Sequence, residues 1–591
     1  MAESIISPGV FTRENDISFV QPAPIAAGAA FIGPTVKGPH NQPTIVTSYN
    51  DYTRKFGETF TSASNSYEFL TSVAVKNYFS QGGQTALITK VISGSYTAAA
   101  NTWISASIGP KSSSQPFTIE TLGKGATYNN AASQTSAIVG GASYLNSDGS
   151  LVSGSTDNVR WEIANINNSL GTFTLLVRQG DDNTNNQIIL ETFTNVSLDP
   201  NSPNYIESVV GNQYVTVETD SSTGTSYNYF QGTFPNRSNY IRVSAVNLAT
   251  PNYLKNDGIS VNVDATNISY SASLPTSGSG SFWSAAGAVK SGASYFATIG
   301  NTSGESQGLV PANYATAISL LSNKDDYQFN IVSAPGLLNS KGFTSTIASF
   351  ISLAENRGDC IAVVDLVPTG SIISDVTGQA VTINSSYAAT YWPWVQIQSA
   401  TGRNEYVPAG TIIPGVYAFT DAATAPWFAP AGLVRGGLPG VIQAERKLTK
   451  GDRDLLYAAK VNPIATFPGT GISVFGQKTL QTKASALDRV NVRRLLIELK
   501  KFIGDQAKNL VFEQNTIATR NRFLATVNPY LESVVQRQGL YAYRVVMDDT
   551  NNTADVVDRN QLVGQIYIQP TKTIEFVVLD FIVEPTGATF A

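Results

Sequence analysis

Cysteine and histidine are almost missing from this chain: Cys360 and His40 are the only ones among 591 residues. An intrachain disulfide therefore lacks a second thiol, and a Cys/His zinc site cannot be assembled within one chain. The lone thiol fits folding in a reducing compartment. Charge is also sparse, at 14% of residues, and a net charge of −5 is small for this length. No run of Lys and Arg supplies the footprint of a nucleic-acid binder, so DNA and RNA are not expected partners. No apolar run reaches the length of a membrane span, and membrane insertion is not expected. Met1-Ala2-Glu3-Ser4 has neither a basic n-region nor an apolar h-region, so no secretory signal is read there.

What is present is enough apolar residue, 42%, for real cores, with abundant Gly, Ser, Thr and Asn. That mix favours β-rich domains with many turns, and the length suggests about four of them. The first stretch reads as an arm. Pro8-Gly9 turns the chain, Val10 to Ser18 alternates weakly as an extended strand does, and Pro22-Ala23-Pro24 uncouples it from the strand beginning at Ile25. Such an arm needs a sheet edge, and that edge can belong to another molecule.

Ile25 to Ile32 reads as a buried strand and Thr44 to Thr47 as a second. Ser48 caps a helical turn carrying Tyr49, Tyr52 and Phe56, which Gly57 stops. A helix is expected over Tyr67–Phe79 and a strand over Thr85–Ile92, an α/β pattern. From about Ser93 to Gly308 short strands alternate with polar turns. After Pro311 the helix–strand alternation returns. A helix is read over Tyr314–Leu321, a strand over Phe329–Ser333 ended by Pro335-Gly336, and a helix over Phe343–Asn356. Cys360–Leu366 is a continuous apolar run, as in a buried parallel strand. The β-rich segment is thus read as an insertion into an α/β domain.

Ala484 to Lys508 is the most amphipathic helix. Val492, Leu495, Leu496, Leu499, Phe502 and Ile503 form its apolar stripe, while Arg489, Arg493, Arg494, Lys500, Lys501 and Lys508 make it basic. Those bases read either as a solvated face or as a docking face for an acidic partner. A helix over Asn515–Val535, interrupted at Asn528-Pro529, precedes three strands: Tyr541–Met547, Leu562–Ile568 and Ile574–Val583.

Motifs with chemistry are weak. Gly469-Thr470-Gly471 lacks the further glycine and the strand-to-helix setting of a dinucleotide loop, and reads as a turn. Gly123-Lys124-Gly125 lacks the Walker spacing. Asp548 to Asn552 lacks the alternating acids and closing Glu of a calcium loop, and reads as a polar hairpin turn. Cys360 reads as a buried, inert thiol and His40 as a loop residue. No catalytic, cofactor-binding or metal-ligating residue is assigned.

A series of short segments in order nevertheless resembles one family, the sheath proteins of contractile phage tails. The series runs Ser7-Pro8-Gly9-Val10, Phe31-Ile32-Gly33, Lys37-Gly38-Pro39, Phe56-Gly57 and Gly82-Gly83. It continues with Glu191 to Pro200, Ala334-Pro335-Gly336, Tyr391-Trp392-Pro393-Trp394, Val407-Pro408-Ala409-Gly410, and Ala425-Pro426-Trp427 with Ala429 to Gly432. Val461 to Ile464, Gly471 to Gly476, Asn491-Val492-Arg493-Arg494, Phe512-Glu513 and Asn551-Asn552-Thr553 complete it. The resemblance extends to the sheaths of other contractile injection systems.

The resemblance implies a structural subunit and no enzyme or cofactor. Expected partners are copies of itself in hexameric rings stacked as a helical array, a tail tube protein, and baseplate and tail terminator proteins. Contraction would drive the tube through a host envelope, and the particle would be a virion tail assembled in host cytoplasm. The expected fold is α+β and multidomain. Residues 1–22 form a linking arm, and 23–95 with 309–465 form a discontinuous α/β middle domain. Residues 96–308 form a β-rich outer insertion of one or two lobes. Residues 466–591 form a C-terminal helix-plus-sheet domain that carries both arms. The arm is expected to act through Val10, Phe11, Thr12, Arg13 and Ile17. The receiving sheet would use Ile566, Ile568, Phe576, Val578 and Phe581, and the tube-facing side Arg493, Lys500 and Lys501. The competing classes are a non-contractile virion protein and a carboxylate-based glycan depolymerase.

Overall fold

A computed structural model describes residues 25–62, 65–93, 98–101, 116–124, 154–262, 274–275, 277–283 and 304–576. Its centre is an eight-stranded sheet. In spatial order the strands are Thr44–Val46, Ala86–Lys90, Ile25–Gly33, Tyr327–Leu338, Ile361–Asp365, Ala388–Trp392, Asn462–Phe467 and Gly471–Val474. The six inner strands run parallel and the two edge strands antiparallel. Ala29 sits between Ile331 on one side and Ala86 on the other, so residues near the start of the chain share a sheet with residues past 327.

Helices cover both faces, which is why the strands read as apolar runs without alternation. Ala362 and Val364 point into the layer of Tyr314, Phe343, Ile347 and Phe350. Ile361 and Val363 point the other way, into the layer of Tyr52, Phe56, Val73 and Tyr417. Tyr78 locks one of these helices to the sheet. Its hydroxyl donates to the Thr85 carbonyl at 3.1 Å, and a Cβ at Gly28 would stand 2.1 Å from that hydroxyl. A side chain at Gly28 would displace the Tyr78 hydroxyl from this bond.

The strand order reverses between Ile25–Gly33 and Tyr327–Leu338, the place where open α/β sheets commonly take a ligand. Here that crevice is plugged. Gln307, 1% exposed, accepts the Leu70 N–H through Oε1 at 2.9 Å and donates to the Pro335 carbonyl at 3.2 Å. Ser306 Oγ donates to the Gly336 carbonyl at 2.6 Å.

A second sheet is antiparallel and seven-stranded. Its spatial order is Ile189–Ser197, Thr172–Gln179, Val159–Asn167, Gly278–Trp283, Ala98–Asn101, Phe117–Lys124 and Ile241–Val246. It has its own core, including Trp161, Phe173 and Phe282. A separate hairpin, Tyr214–Thr219 with Ser226–Gln231, leans on the helix Ala315–Leu321, where the Ser226 N–H donates to Ser319 Oγ at 3.0 Å.

The last unit pairs the helices Val490–Lys508 and Ile517–Gln536 with a two-stranded sheet, Leu540–Val546 and Gln565–Pro570. Leu495, Leu499, Phe523, Val527, Leu531 and Val534 form its core.

Several expectations need correction. The helix expected from Tyr67 starts at Leu70, because Thr59–Ser62 and Asn65–Glu68 form a hairpin first. Pro335-Gly336 does not end the strand begun at Tyr327. The chain absorbs them in a register shift, with Gly336 at φ +89°, and continues to Leu338. Pro529 does not interrupt its helix, which runs on to Gln536 under the packing of Val527, Leu531 and Val534. The basic helix proper starts at Val490, after a single 3-10 turn at Ala486–Asp488. The strand expected at Leu562–Ile568 runs Gln565–Pro570, and Ile574 to Phe576 are not a strand. Residues 577–583 of that expected strand lie outside the described residues.

Candidate functional site

The chemistry-bearing residues converge on the last unit and its seam with the central sheet. The apolar stripe of Val490–Lys508 packs inward as its spacing requires, but its basic residues divide: Arg493 and Arg494 are buried, while Lys500 and Lys508 are exposed. Arg493 is 4% exposed. Its guanidinium stacks 4.0 Å from the Tyr387 ring centroid and donates to Ser386 Oγ at 2.5 Å. Burial lowers its pKa, and the Tyr387 and Glu355 side chains oppose that shift. Arg494 is buried too, held on both Asp421 carboxylate oxygens at 2.5 and 2.6 Å with its guanidinium over Tyr417. Arg493, expected to face a partner, is instead a strut between the helix and the central sheet. Lys500 is exposed, with Nζ 3.4 Å from the Tyr387 hydroxyl, and Lys501 Nζ stands 3.4 Å from Asn330 Oδ1.

The two-stranded sheet is held by register pairs Tyr543–Ile568 and Val545–Ile566. Ile566 and Ile568 lie on its inner face, partly buried against the helix pair, while Tyr541 and Tyr567 are exposed on the outer face. Among the described residues neither strand pairs with a third, so each keeps one open edge. Phe576 lies beyond the sheet and is exposed. Val578 and Phe581, and the arm residues Val10, Phe11, Thr12, Arg13 and Ile17, lie outside the described residues.

A strap, residues 571–576, leaves the sheet and crosses back over the seam. The Arg489 guanidinium donates to both Glu575 oxygens, at 2.7 and 3.0 Å, and Gln477 Nε2 donates to Thr573 Oγ1 at 2.6 Å. Burial pushes the Glu575 carboxyl up, but the hydrogen bonds and charge of Arg489 outweigh it and the net shift is downward. The strap walls a cavity of about 720 Å3, lined opposite by Trp427, Phe428, Tyr457 and Phe475, with Arg435, Lys450 and Arg453 among its charged residues. Sequence reasoning missed this clamp. Its signal was Glu575 itself, a single acid set between Ile574 and Phe576.

The remaining motifs are structural. Gly469 and Gly471, at φ +79° and +81°, turn the hairpin Asn462–Phe467/Gly471–Val474. Asp548 accepts the Thr550 N–H at 2.9 Å within its own turn, and Asp549 accepts from Arg520 at 2.7 Å. Cys360 is fully buried, and burial pushes its thiol well above the usual range. No group of His, Cys, Asp and Glu among the described residues is placed to hold a metal.

Two family profiles match in tandem. The phage tail sheath protein central domain matches residues 309–480, and the phage tail sheath C-terminal domain matches residues 482–584. Over these two stretches the chain is similar to phage tail sheath proteins. The tail sheath protein of Vibrio phage KVP40 is 39% identical over 245 residues, 41% of this chain and 36% of that protein. That of Enterobacteria phage T4 is 35% identical over 258 residues, 41% of this chain and 39% of that protein. The chain thus spans less than two fifths of the length of these curated tail sheath proteins. A sheath tail protein from Listeria innocua, solved by crystallography, shares the fold with TM-score 0.53 at 10% identity, covering 93% of each chain. The seam, the strap and the two-stranded sheet all fall within the two matched sheath domains.

Proposed function

We propose that this chain is the structural subunit of a contractile tail sheath in a phage virion. The observation that carries the proposal is the tandem match of central and C-terminal sheath domains over residues 309–584. In this reading copies stack as hexameric rings in a helical array around a tail tube, between a baseplate and a terminator, after assembly in the host cytoplasm. Contraction then drives the tube through the host envelope without a nucleotide.

The same reading sets the domain division. Residues 1–22 are the linking arm, 23–95 with 309–465 the middle domain, 96–308 the outer insertion and 466–591 the C-terminal domain. The mechanical demand is a link that survives large subunit movements. Strand addition supplies it, because each added backbone hydrogen bond contributes about 1 kcal/mol net and several act together. The open edges of Leu540–Val546 and Gln565–Pro570 support this reading as acceptors for Val10 to Ile17 of another copy and for the chain beyond Phe576. Ile566 and Ile568 serve by fixing the acceptor sheet to its helices. Tube docking falls to Lys500 and Lys501, since Arg493 is spent inside the fold. A few charge pairs at a wet surface suit a contact that must release.

The experiment is deletion of residues 1–20. The truncated chain is expected to remain folded and monomeric. Regular tubes from it would contradict the arm's role.

A further inference from the structure

The turn between the two long helices holds an unusual residue. Phe512 is 101% exposed, with Val511 and Ile517 beside it at 62% and 63%. Its φ is +69°, a left-handed conformation that bulky residues rarely adopt. A strained and fully solvated aromatic does nothing for the isolated fold. The turn is nonetheless firmly braced. The Glu513 N–H donates to the Leu510 carbonyl at 3.0 Å, and Asn515 Nδ2 donates to the Gln561 carbonyl at 2.9 Å. Arg520 grips Asn515 at 2.9 Å and Asp549 at 2.7 Å. Phe512 is therefore presented by a fixed support, as an interface anchor is.

The cavity behind the strap is its physical complement. It is walled by Trp427, Phe428, Tyr457 and Phe475 and has room for more than one side chain. Of the lining acids, Glu575 is neutralised by Arg489, leaving Asp454 against Arg435, Lys450 and Arg453. An acid, Glu513, immediately follows the anchor, and its ion pair with Arg522, at 3.3 Å, is solvent-exposed and readily exchanged. We infer that Phe512 with Glu513 of one copy enters the aromatic, basic-rimmed cavity of a second copy of this chain. Knob and cavity occupy different places on the molecule, so the contact is heterologous. Such contacts propagate into rings or helical filaments, not closed pairs. The inference rests on the self-assembling sheath reading and adds to it a second link, made by side chains and distinct from any strand exchange.

The test uses the full chain with paired cysteines, V511C and D454C, the first beside the intact Phe512 and the second on the exposed rim of the cavity. Cys360 is fully buried, so only the introduced thiols report. Oxidation of assembled protein is expected to give a ladder extending past dimer on non-reducing gels, and neither single variant should. Phe512→Ala is expected to lower the assembled fraction at least tenfold at unchanged melting temperature. Phe512→Gly, which relieves the positive φ, should assemble as poorly while being no less stable. Tubes from F512A equal to wild type, with no ladder, would overturn the knob and leave the sheath reading standing. Capture of V511C by a tube protein instead of a second copy would overturn it as well. A wild-type chain that stays monomeric at every concentration would overturn both readings.

Discussion

Arg489 and Glu575, 86 residues apart, form a two-point clamp in which both carboxylate oxygens accept from one guanidinium, at 2.7 and 3.0 Å. The clamp fixes where the chain leaves the last sheet, because Thr573 and Glu575 are the strap residues hydrogen-bonded to Gln477 and Arg489.

Glu575→Gln should therefore loosen the strap without unfolding its surroundings. The loss expected for a partly exposed pair is about 1 kcal/mol, or roughly fivefold in local opening. Amide exchange of residues 571–576, corrected for intrinsic rate, reads it. The Glu575 pKa is lowered in the fold, so the wild-type advantage is fully present above the ordinary value of 4.5 and is lost as pH falls through the lowered folded value. Equal protection of wild type and E575Q at pH 7 would contradict the clamp.

Asp365 shows the opposite linkage. It lies at the end of the buried strand Ile361–Asp365, where burial raises its pKa to about 7 although the Gly410 N–H, at 2.8 Å, favours the ionised form. Ionisation is penalised in the fold, so stability falls as pH rises from the unfolded value of 3.8 through about 7, and the penalty is complete above that. Asp365→Asn keeps an acceptor for Gly410 and removes the charge. It should match wild type near pH 4 and be more stable at pH 8, by about 1–3 kcal/mol. Calorimetry of the two proteins across this range checks both ends.

Arg493 and Lys500 separate a strut from a surface charge. Arg493→Glu buries an acid where a guanidinium stacked on Tyr387 and bonded Ser386, and should cost about 3–5 kcal/mol. Lys500→Glu changes an exposed charge and should stay within about 0.5 kcal/mol of wild type while weakening tube docking. Thermal melting paired with co-sedimentation on tube protein distinguishes the two. Equal destabilisation by both substitutions would refute the assignment.

The contrast shows what a linear pattern carries. The apolar run at Cys360–Leu366 was legible as a strand because a strand buried on both faces has no alternation. Ser48 and Gly57 were legible as helix ends because capping is local, with Ser48 Oγ accepting from Asp51 N–H at 3.1 Å. The fate of Arg493 and Arg494 was not local. Helical spacing separates apolar from charged positions, but Ser386, Tyr387 and Asp421, from distant stretches of the chain, draw Arg493 and Arg494 into the interior. Pro335-Gly336 and Pro529 read as breaks because single residues were weighed without the neighbours that hold the chain on course. Of the candidate site, the helix and the final hairpin were legible in outline. The strap, its clamp and the Phe512 turn depend on contacts that no periodicity announces.

The most direct measurement is electron microscopy of the purified full-length chain, alone and over a range of concentrations. Hollow helical tubes of stacked rings are predicted. A homogeneous population of monomers under every condition, or closed dimers with no polymer, would contradict the account.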